Sequence, residues 1–238
     1  MEGYGQGDRE KDRPTRHLRT LLLPIVCLIV AAPAGAAPTE TPVRVTSGVE
    51  EFRPSVTSSY MAWDQNRPPA NQVNVIAQAT GGQPIKVNKP GTSAFMGALD
   101  GSRLVFEQHP KGRDSDLVLV DLATGVRIPL PTGVNTPKEE FEPSMDGDWV
   151  AFVRAKFGTI VRASLWLVRL STGELRKLDS VEHDELPLIA AGHVNGNFVT
   201  WFRCVGRGFP PAPCDVFRYD IITGTTVQVP NPARRRDL

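Results

Sequence analysis

The sequence predicts an all-β fold, a β-propeller of about four four-stranded blades. One pattern carries this prediction: a β-rich run, a Thr-Gly pair and a second short strand recur four times, with the pairs starting at positions 80, 124, 172 and 223. The resulting spacings of 44, 48 and 51 residues are typical of propeller blades. Asp-Gly or Asn-Gly turns occur between β-rich runs in three of the repeats, and such turns indicate tight hairpins.

Each repeat is predicted to form one blade, with units at about 50–88, 89–131, 139–179 and 184–231. The third is the clearest: FEPSM, an Asp-Gly turn, DWVAFVR, a loop, SLWLVRL, a Ser-Thr-Gly turn and ELRKL. An additional N-terminal strand, VRVTS at 43–47, precedes the first unit. The chain therefore forms a four-blade ring, a ring closed by that strand, or an open arc completed by a second copy as a homodimer. An open arc exposes strand edges, which favours closure or dimerisation.

The second strand of each unit carries an aromatic residue two places after an apolar one. Because side chains alternate between the two faces of a strand, these residues share a face that packs against a neighbouring blade. The predicted core therefore includes Trp63, Phe106, Phe152 and Trp201.

Residues 1–36 are predicted to be a signal peptide, which leaves residues 37–238 as the propeller domain. A basic region is followed by the apolar run LLLPIVCLIVAA and then by Ala34-Gly35-Ala36, a small-residue cleavage site. A retained membrane anchor is the alternative, although the apolar run is shorter than the roughly 20 residues of a membrane span. On the first reading the protein is secreted or periplasmic, and the mature chain has no membrane span.

The composition of residues 37–238 limits the partners. These 202 residues contain 22 Lys and Arg and 22 Asp and Glu. Nucleic-acid binding needs a basic face, so the balance of charge argues against a nucleic-acid partner. Two cysteines remain, Cys204 and Cys214, and an even number in an exported chain predicts a disulfide between them. Two reduced thiols are the alternative; a zinc site is disfavoured because zinc takes four ligands.

The third unit, PSMDGDWVAFVR followed by LWLVRLSTGELRKL, resembles the WD40-like (PD40) propeller repeat of the TolB-like family. The resemblance covers roughly residues 43–230. It implies a propeller that serves as a binding platform. The same repeat also occurs in propellers attached to prolyl-oligopeptidase-type hydrolases, so the resemblance is specific for the fold and not for the function.

The sequence contains no nucleophile elbow, no H-E-x-x-H zinc motif and no P-loop, so we expect no enzyme activity, no cofactor and no metal site. Acidic residues form the candidate binding site. Glu51 and Glu140 each lie three residues before a proline, at matching places in units one and three, and the loops between blades gather near the central channel. The predicted anionic rim, which would bind a basic partner, consists of Glu51, Glu140, Glu142, Asp184 and Glu185. The alternative is that these acidic residues bind no partner and are simply solvated or cap the backbone.

The loops between the second and third strands form an alternative surface, at 64–71, 108–115, 155–163 and 204–214. Together these features predict an exported, non-enzymatic propeller that binds a protein or cell-envelope component. The alternative is the propeller part of a hydrolase or lyase whose catalytic part is absent from this chain.

Overall fold

A computed structural model describes residues 50–67, 72–183, 188–204 and 214–230 of the chain. These residues belong to one compact unit, Val45–Leu238. They form sixteen β-strands arranged as four four-stranded antiparallel sheets, which are the blades of a four-bladed propeller. The predicted fold class is confirmed. The predicted signal peptide and the strand at 43–47 lie outside the described residues. Among the described residues, no helix has the length and apolar character to cross a membrane.

The strands of each blade pair in chain order. Blade one contains β1 (Glu50–Val56), β2 (Tyr60–Arg67), β3 (Gln72–Ala79) and β4 (Ile85–Lys86), and blade two contains β5 (Ser93–Asp100), β6 (Arg103–His109), β7 (Asp116–Asp121) and β8 (Val126–Ile128). Blade three contains β9 (Glu139–Asp146), β10 (Trp149–Lys156), β11 (Val161–Arg169) and β12 (Leu175–His183), and blade four contains β13 (Leu188–Asn195), β14 (Phe198–Cys204), β15 (Cys214–Asp220) and β16 (Thr225–Gln228).

The predicted Asp-Gly turns join the first two strands of blades two and three, and they also link consecutive blades. Gly101 and Gly147 adopt φ values of 58° and 56°, a region that glycine enters without steric cost. The Asp100 carboxylate accepts a hydrogen bond from the Gly147 amide at 3.0 Å, and Asp146 accepts one from the Gly196 amide at 2.5 Å. The aspartate of each turn therefore helps to fix the position of the following blade.

Three apolar clusters fill the junctions between consecutive blades. Phe106 lies in the cluster between blades one and two, Phe152 in that between blades two and three, and Trp201 in that between blades three and four. These three side chains and Trp63 are at most 5% exposed, so the predicted aromatic core is confirmed. The second strand of each blade thus buries one of these aromatic side chains. Such burial is a main source of stability in a stack of sheets.

Blade four differs from the others because its outward face is open. Val75, Leu117 and Leu165 occupy equivalent positions on the third strands of blades one to three, and the following blade covers each of them to at most 1% exposure. Val216 is the equivalent residue of blade four and is 45% exposed. The described residues contain no apolar cluster between blade four and blade one.

The predicted disulfide is present in blade four. Cys204 ends β14 and Cys214 begins β15, and the two residues lie directly opposite each other in the antiparallel register. This covalent link joins the two central strands of the blade that has one uncovered face. A disulfide of this loop length stabilises a fold by about 2–3 kcal/mol.

The first strand of every blade is irregular at the same place. The pairing of β1, β5, β9 and β13 with the next strand shifts register there, as in a β-bulge. Pro54 and Pro143 lie at two of the shifts, where a strand tolerates a residue without an amide hydrogen. Gly97 lies at the third, and a Cβ atom there would collide with the Pro143 ring of the next blade. The bulges bring the first strands of blades two and three close together.

Candidate functional site

The irregular parts of the four first strands surround one cavity of about 290 Å³, which we call the axial cavity. Strands β1, β5, β9 and β13 all contribute to its wall, as expected for the strands nearest the axis of a propeller. Its lining consists of Arg53, Met96, Gly97, Glu142, Pro143, Ser144, Gly192 and His193. The site is therefore built from one short segment of each blade.

Two residues of the axial cavity have a strained backbone. Arg53 and Glu142 adopt φ values of 51° and 49°, and within the described ranges they are the non-glycine residues with positive φ. Both directly precede the proline of a bulge, in blades one and three. A backbone of this kind costs on the order of 1–3 kcal/mol for each residue and is concentrated at functional sites. The strain marks this pair of opposite charges as candidate functional residues.

The guanidinium of Arg53 is held in place from several sides. Its Nε donates a hydrogen bond to Oδ2 of Asp64 at 2.5 Å, while its carbon lies 4.8 Å from the ring centre of Phe95 and 5.4 Å from that of Phe52. The side chain is 42% exposed. Within the described part of the chain it makes no other hydrogen bond. The remaining N–H groups of a fixed guanidinium are thus available to a ligand.

Asp64 connects blade one to blade two through its bonds to Arg53 and Met96. Its side chain is fully buried, and its Oδ1 accepts a hydrogen bond from the Met96 amide at 2.6 Å. Burial raises the pKa of Asp64 to about 6, although the Arg53 guanidinium and the hydrogen bonds act in the opposite direction. The cost of burying this carboxylate is offset by its pairing with a cation and a backbone amide.

Blade two makes an equivalent contact with blade three, from a buried carboxylate to a backbone amide of the next blade. Glu107 lies at the position of β6 that Asp64 occupies in β2, and its Oε2 accepts a hydrogen bond from the Glu142 amide at 2.8 Å. Its other oxygen lies 3.2 Å from Nε2 of His109. A buried carboxylate thus fixes the backbone of Glu142, and the side chain of Glu142 is exposed at the cavity.

The structure describes three of the predicted rim residues, Glu51, Glu140 and Glu142, and places them in different surroundings. Glu142 lines the axial cavity, whereas Glu51 is exposed on β1 and is not part of its lining. Glu140 is fully buried, because it pairs across the strands with Arg154 at 2.7 Å and accepts hydrogen bonds from Thr136. Burial raises the pKa of Glu140, against the effect of those bonds. Asp184 and Glu185 lie outside the described residues.

The sequence analysis missed Arg53, Asp64 and His193. One signal could have identified Asp64: it directly follows the core residue Trp63 in a β-rich run, so a buried charge is expected there. Such a charge needs a partner of opposite sign, and Arg53 lies on the adjacent strand opposite that segment. The position of His193 at the axis depends on the bulge in β13 and has no comparable signal.

Two other cavities, of about 510 and 540 Å³, lie along blade two and share Asp116 and Asn135 in their lining. The Asn135 amide group accepts from the Leu117 amide and donates to the Leu117 carbonyl, so it replaces a missing strand partner. These cavities follow the edge of a blade, and their central polar group serves the fold. No three histidine, cysteine or carboxylate side chains of the described residues are grouped to hold a metal ion.

The structure is similar to solved propellers at low sequence identity. A puromycin-hydrolysing peptidase from Mycobacterium tuberculosis has a TM-score of 0.59 and 19% identity, over 79% of this chain and 30% of that chain. TolB from Acinetobacter baumannii has a TM-score of 0.50 and 16% identity, over 75% of this chain and 43% of that chain. An acylaminoacyl peptidase from Pyrococcus horikoshii has a TM-score of 0.53 and 11% identity, over 79% and 33%.

The chain spans less than half the length of each of these proteins, and the likeness shows the fold alone. No protein-family model and no curated protein matches the sequence. Membership of the PD40 repeat family stays a prediction.

Proposed function

We propose that this protein is an exported, non-enzymatic β-propeller that binds a protein or cell-envelope partner at the axial cavity. The observation that carries the proposal is the pair of strained, oppositely charged residues, Arg53 and Glu142, in one cavity to which all four blades contribute. Loops and irregular segments on a rigid scaffold are common binding surfaces. The disulfide between Cys204 and Cys214 is compatible with an oxidising compartment.

Features of the cavity favour binding over catalysis. Ser144 and His193 both line it, and a serine beside a histidine is a pattern found in hydrolases. However, Ser144 is only 8% exposed, and its hydroxyl accepts a hydrogen bond from the Val194 amide at 2.9 Å, a contact between blades three and four. We therefore assign Ser144 to the fold. The peptidases that share the fold are a reason to test this assignment.

The test is capture of partners from an envelope extract of the source organism with immobilised protein. Glu142→Gln and Arg53→Gln alter the cavity, and Glu51→Gln is the matched control, since it makes the same change on an exposed strand outside it. We expect the wild type and Glu51→Gln to retain one partner that both cavity variants lose by at least tenfold. Equal recovery by all four proteins would exclude the axial cavity as the site.

A second measurement tests the non-enzymatic assignment. Purified protein is incubated with a set of chromogenic peptide substrates beside Ser144→Ala. We expect no turnover above background by either protein. Turnover that disappears in Ser144→Ala would show that the protein is a hydrolase.

A further inference from the structure

The face of blade four that points away from blade three exposes apolar side chains, and we call it the uncovered face. It includes Phe198 and Phe202 on β14, Val216 on β15 and Val229 after β16, each between 39% and 45% exposed. Phe202 lies opposite Val216 in the antiparallel register, and the Val229 amide donates to the Val216 carbonyl at 2.8 Å. Residues that lie opposite each other share one side of a sheet, so these side chains form a continuous apolar patch.

The other blades show what covers this face. At the position of Phe198, blades one and three carry Tyr60 and Trp149, and both residues pack in the apolar cluster with the next blade. At the position of Val229, blade two carries Leu130, which packs in its junction with blade three. In every covered junction the occupant is the face of another four-stranded blade. The surface that fits the uncovered face is therefore a second sheet, packed at a distance of about 10 Å.

The uncovered face carries little charge. On β14 and β15, alternation places Arg218 and Asp220 on this side of the sheet. The Arg218 guanidinium lies 4.7 Å from the ring centre of Phe198, and the Asp220 carboxylate accepts hydrogen bonds from the amides of Ile222 and Thr223 in the following turn. Both charged groups are thus engaged within blade four, which favours an apolar partner over a strongly charged one.

The opposite end of the row of blades does not offer a matching surface. Ala62 and Val75 of blade one pack toward blade two, so Trp63 and Ile76, which alternate with them, lie on the other face. Trp63 and Ile76 are at most 7% exposed. Blade four of a second copy therefore cannot dock on this face without first uncovering it, and a contact between blade four of one copy and blade one of another is disfavoured.

We propose that two copies of the chain associate through their uncovered faces, blade four against blade four, about a two-fold axis. Each copy brings the same apolar patch, and such a contact between identical surfaces is the commonest arrangement in homo-oligomers. The two blades pack as the sheets of a β-sandwich do, and Phe202 and Val216 of both copies are removed from water. The inference goes beyond the proposed function, because it does not involve the axial cavity.

The size of the uncovered face sets the expected affinity. The two central strands of blade four are seven residues long, and strands lie about 4.8 Å apart, so the face measures roughly 400 Å². Two such faces come close to the roughly 1,000 Å² at which specific interfaces begin. We therefore expect a reversible dimer with a dissociation constant on the order of micromolar, and not an obligate one.

The experiment is sedimentation velocity of the purified chain, with its disulfide intact, from micromolar to submillimolar concentrations. Val216→Glu and Phe202→Glu each place a charge on the uncovered face. Val126→Glu is the matched control, because it makes the same change at an exposed valine of blade two. Val216→Lys is measured alone and in an equimolar mixture with Val216→Glu, which supplies opposite charges to two faces that meet.

We expect the wild type and Val126→Glu to change from monomer to dimer as the concentration rises. Val216→Glu and Phe202→Glu should bind at least tenfold more weakly, because the dimer would bury a charge without a partner. The mixture of Val216→Glu and Val216→Lys should dimerise at least tenfold more tightly than either variant alone, since charges of opposite sign then face each other.

The inference is wrong if the wild type is monomeric throughout this range, or if the variants of the uncovered face associate as the wild type does. Loss of the dimer in these variants without recovery in the mixture would show a contact between unlike surfaces and would contradict the two-fold arrangement. Circular dichroism establishes that each variant is folded, and the two Val216 variants suffice if Phe202→Glu is not. Arg53→Gln, which alters the axial cavity, should leave the dimer unchanged, so failure of this inference does not affect the proposed function.

Discussion

Two arginine–carboxylate pairs, one in blade three and one in blade one, use the same chemistry in different surroundings. In blade three, Arg154 pairs with Glu140, and the two side chains are 8% and 0% exposed. In blade one, Arg53 pairs with Asp64; the carboxylate is again fully buried, but the arginine is 42% exposed. Both pairs connect the first and second strands of a blade. The Arg154–Glu140 pair, which we call the sealed pair, stabilises the fold. The Arg53–Asp64 pair, which we call the open pair, presents a charge.

The partners of each guanidinium explain the difference. The Nη2 of Arg154 donates to the carbonyl oxygens of Gly133 and Val134, each at 2.6 Å, in the segment that enters blade three. Its carbon also lies 4.8 Å from the ring of Trp166. Arg53 donates one N–H, that of Nε, to Asp64, and the residue also lines the axial cavity. Arg154 thus has both its Nε and its Nη2 donating to the protein, whereas Arg53 donates through Nε alone.

The largest predicted effect is on the sealed pair. Arg154→Ala should lower the free energy of unfolding by about 3–5 kcal/mol, because it leaves the Glu140 carboxylate buried without its cation. Arg162→Ala is the matched control: the Arg162–Glu182 pair is more than half exposed, so its loss should leave the denaturation midpoint close to that of the wild type. Denaturant titration of both variants measures the difference. Equal midpoints for the two variants would contradict the distinction between the pairs.

A double variant sharpens this prediction. Arg154→Met combined with Glu140→Leu removes both charges and keeps similar volumes. Its stability should be closer to that of the wild type than the stability of Arg154→Ala, since replacing a whole buried pair by apolar groups avoids the unpaired charge. A double variant that is as unstable as Arg154→Ala would show that packing, and not the buried charge, causes the loss.

The open pair should make stability depend on pH. Burial raises the pKa of Asp64 from 3.8 to about 6, so the folded state binds this proton more tightly than the unfolded state. The contribution of Asp64 to stability is therefore complete below pH 3.8 and is lost as the pH rises through 6, at a rate of at most about 1.4 kcal/mol per pH unit.

The measurement is denaturant unfolding of the wild type and of Asp64→Asn between pH 4.5 and 7.5. The wild type should gain stability relative to Asp64→Asn as the pH falls. A constant difference between the two proteins over this range would show that Asp64 does not titrate there.

The smallest predicted effect on stability is that of the open arginine. Arg53→Gln should reduce the free energy of unfolding by about 1 kcal/mol at pH 5.5, because Asp64 can take up a proton and the guanidinium is partly exposed. The loss should be larger at pH 7.5, where the buried carboxylate remains charged. Chemical denaturation at the two pH values tests this. A loss as large as that of Arg154→Ala at pH 5.5 would mean that Arg53 also serves mainly the fold.

Much of the fold follows from the sequence, because turn chemistry and alternation are local. The Asp-Gly and Thr-Gly turns and the aromatic residues of the second strands, such as Phe152 and Trp201, predicted the blades and their core. Pro54 and Pro143 stand at matching places in the repeats, and the structure has bulges there, which the sequence analysis did not predict. What these markers do not reveal is the direction of the side chains around each bulge.

The candidate site was predicted less well for this reason. Glu140 and Glu142 are two residues apart and of the same type, yet one is sealed against Arg154 and the other lines the cavity. The bulge and the positive φ of Glu142 separate their surroundings, and both depend on contacts with blade two. The predicted loop at 64–71 includes Asp64, but the structure places this residue in β2, with its carboxylate fully buried. Its partner becomes evident only from the register of β1 with β2.

The central claim is that Arg53 serves binding while Arg154 serves stability, and one measurement tests it most directly. The amount of partner captured from an envelope extract is measured at pH 7 for the immobilised wild type and for Arg53→Gln. We expect Arg53→Gln to capture at least tenfold less partner, in protein that remains folded. Equal capture by the two proteins would contradict the claim.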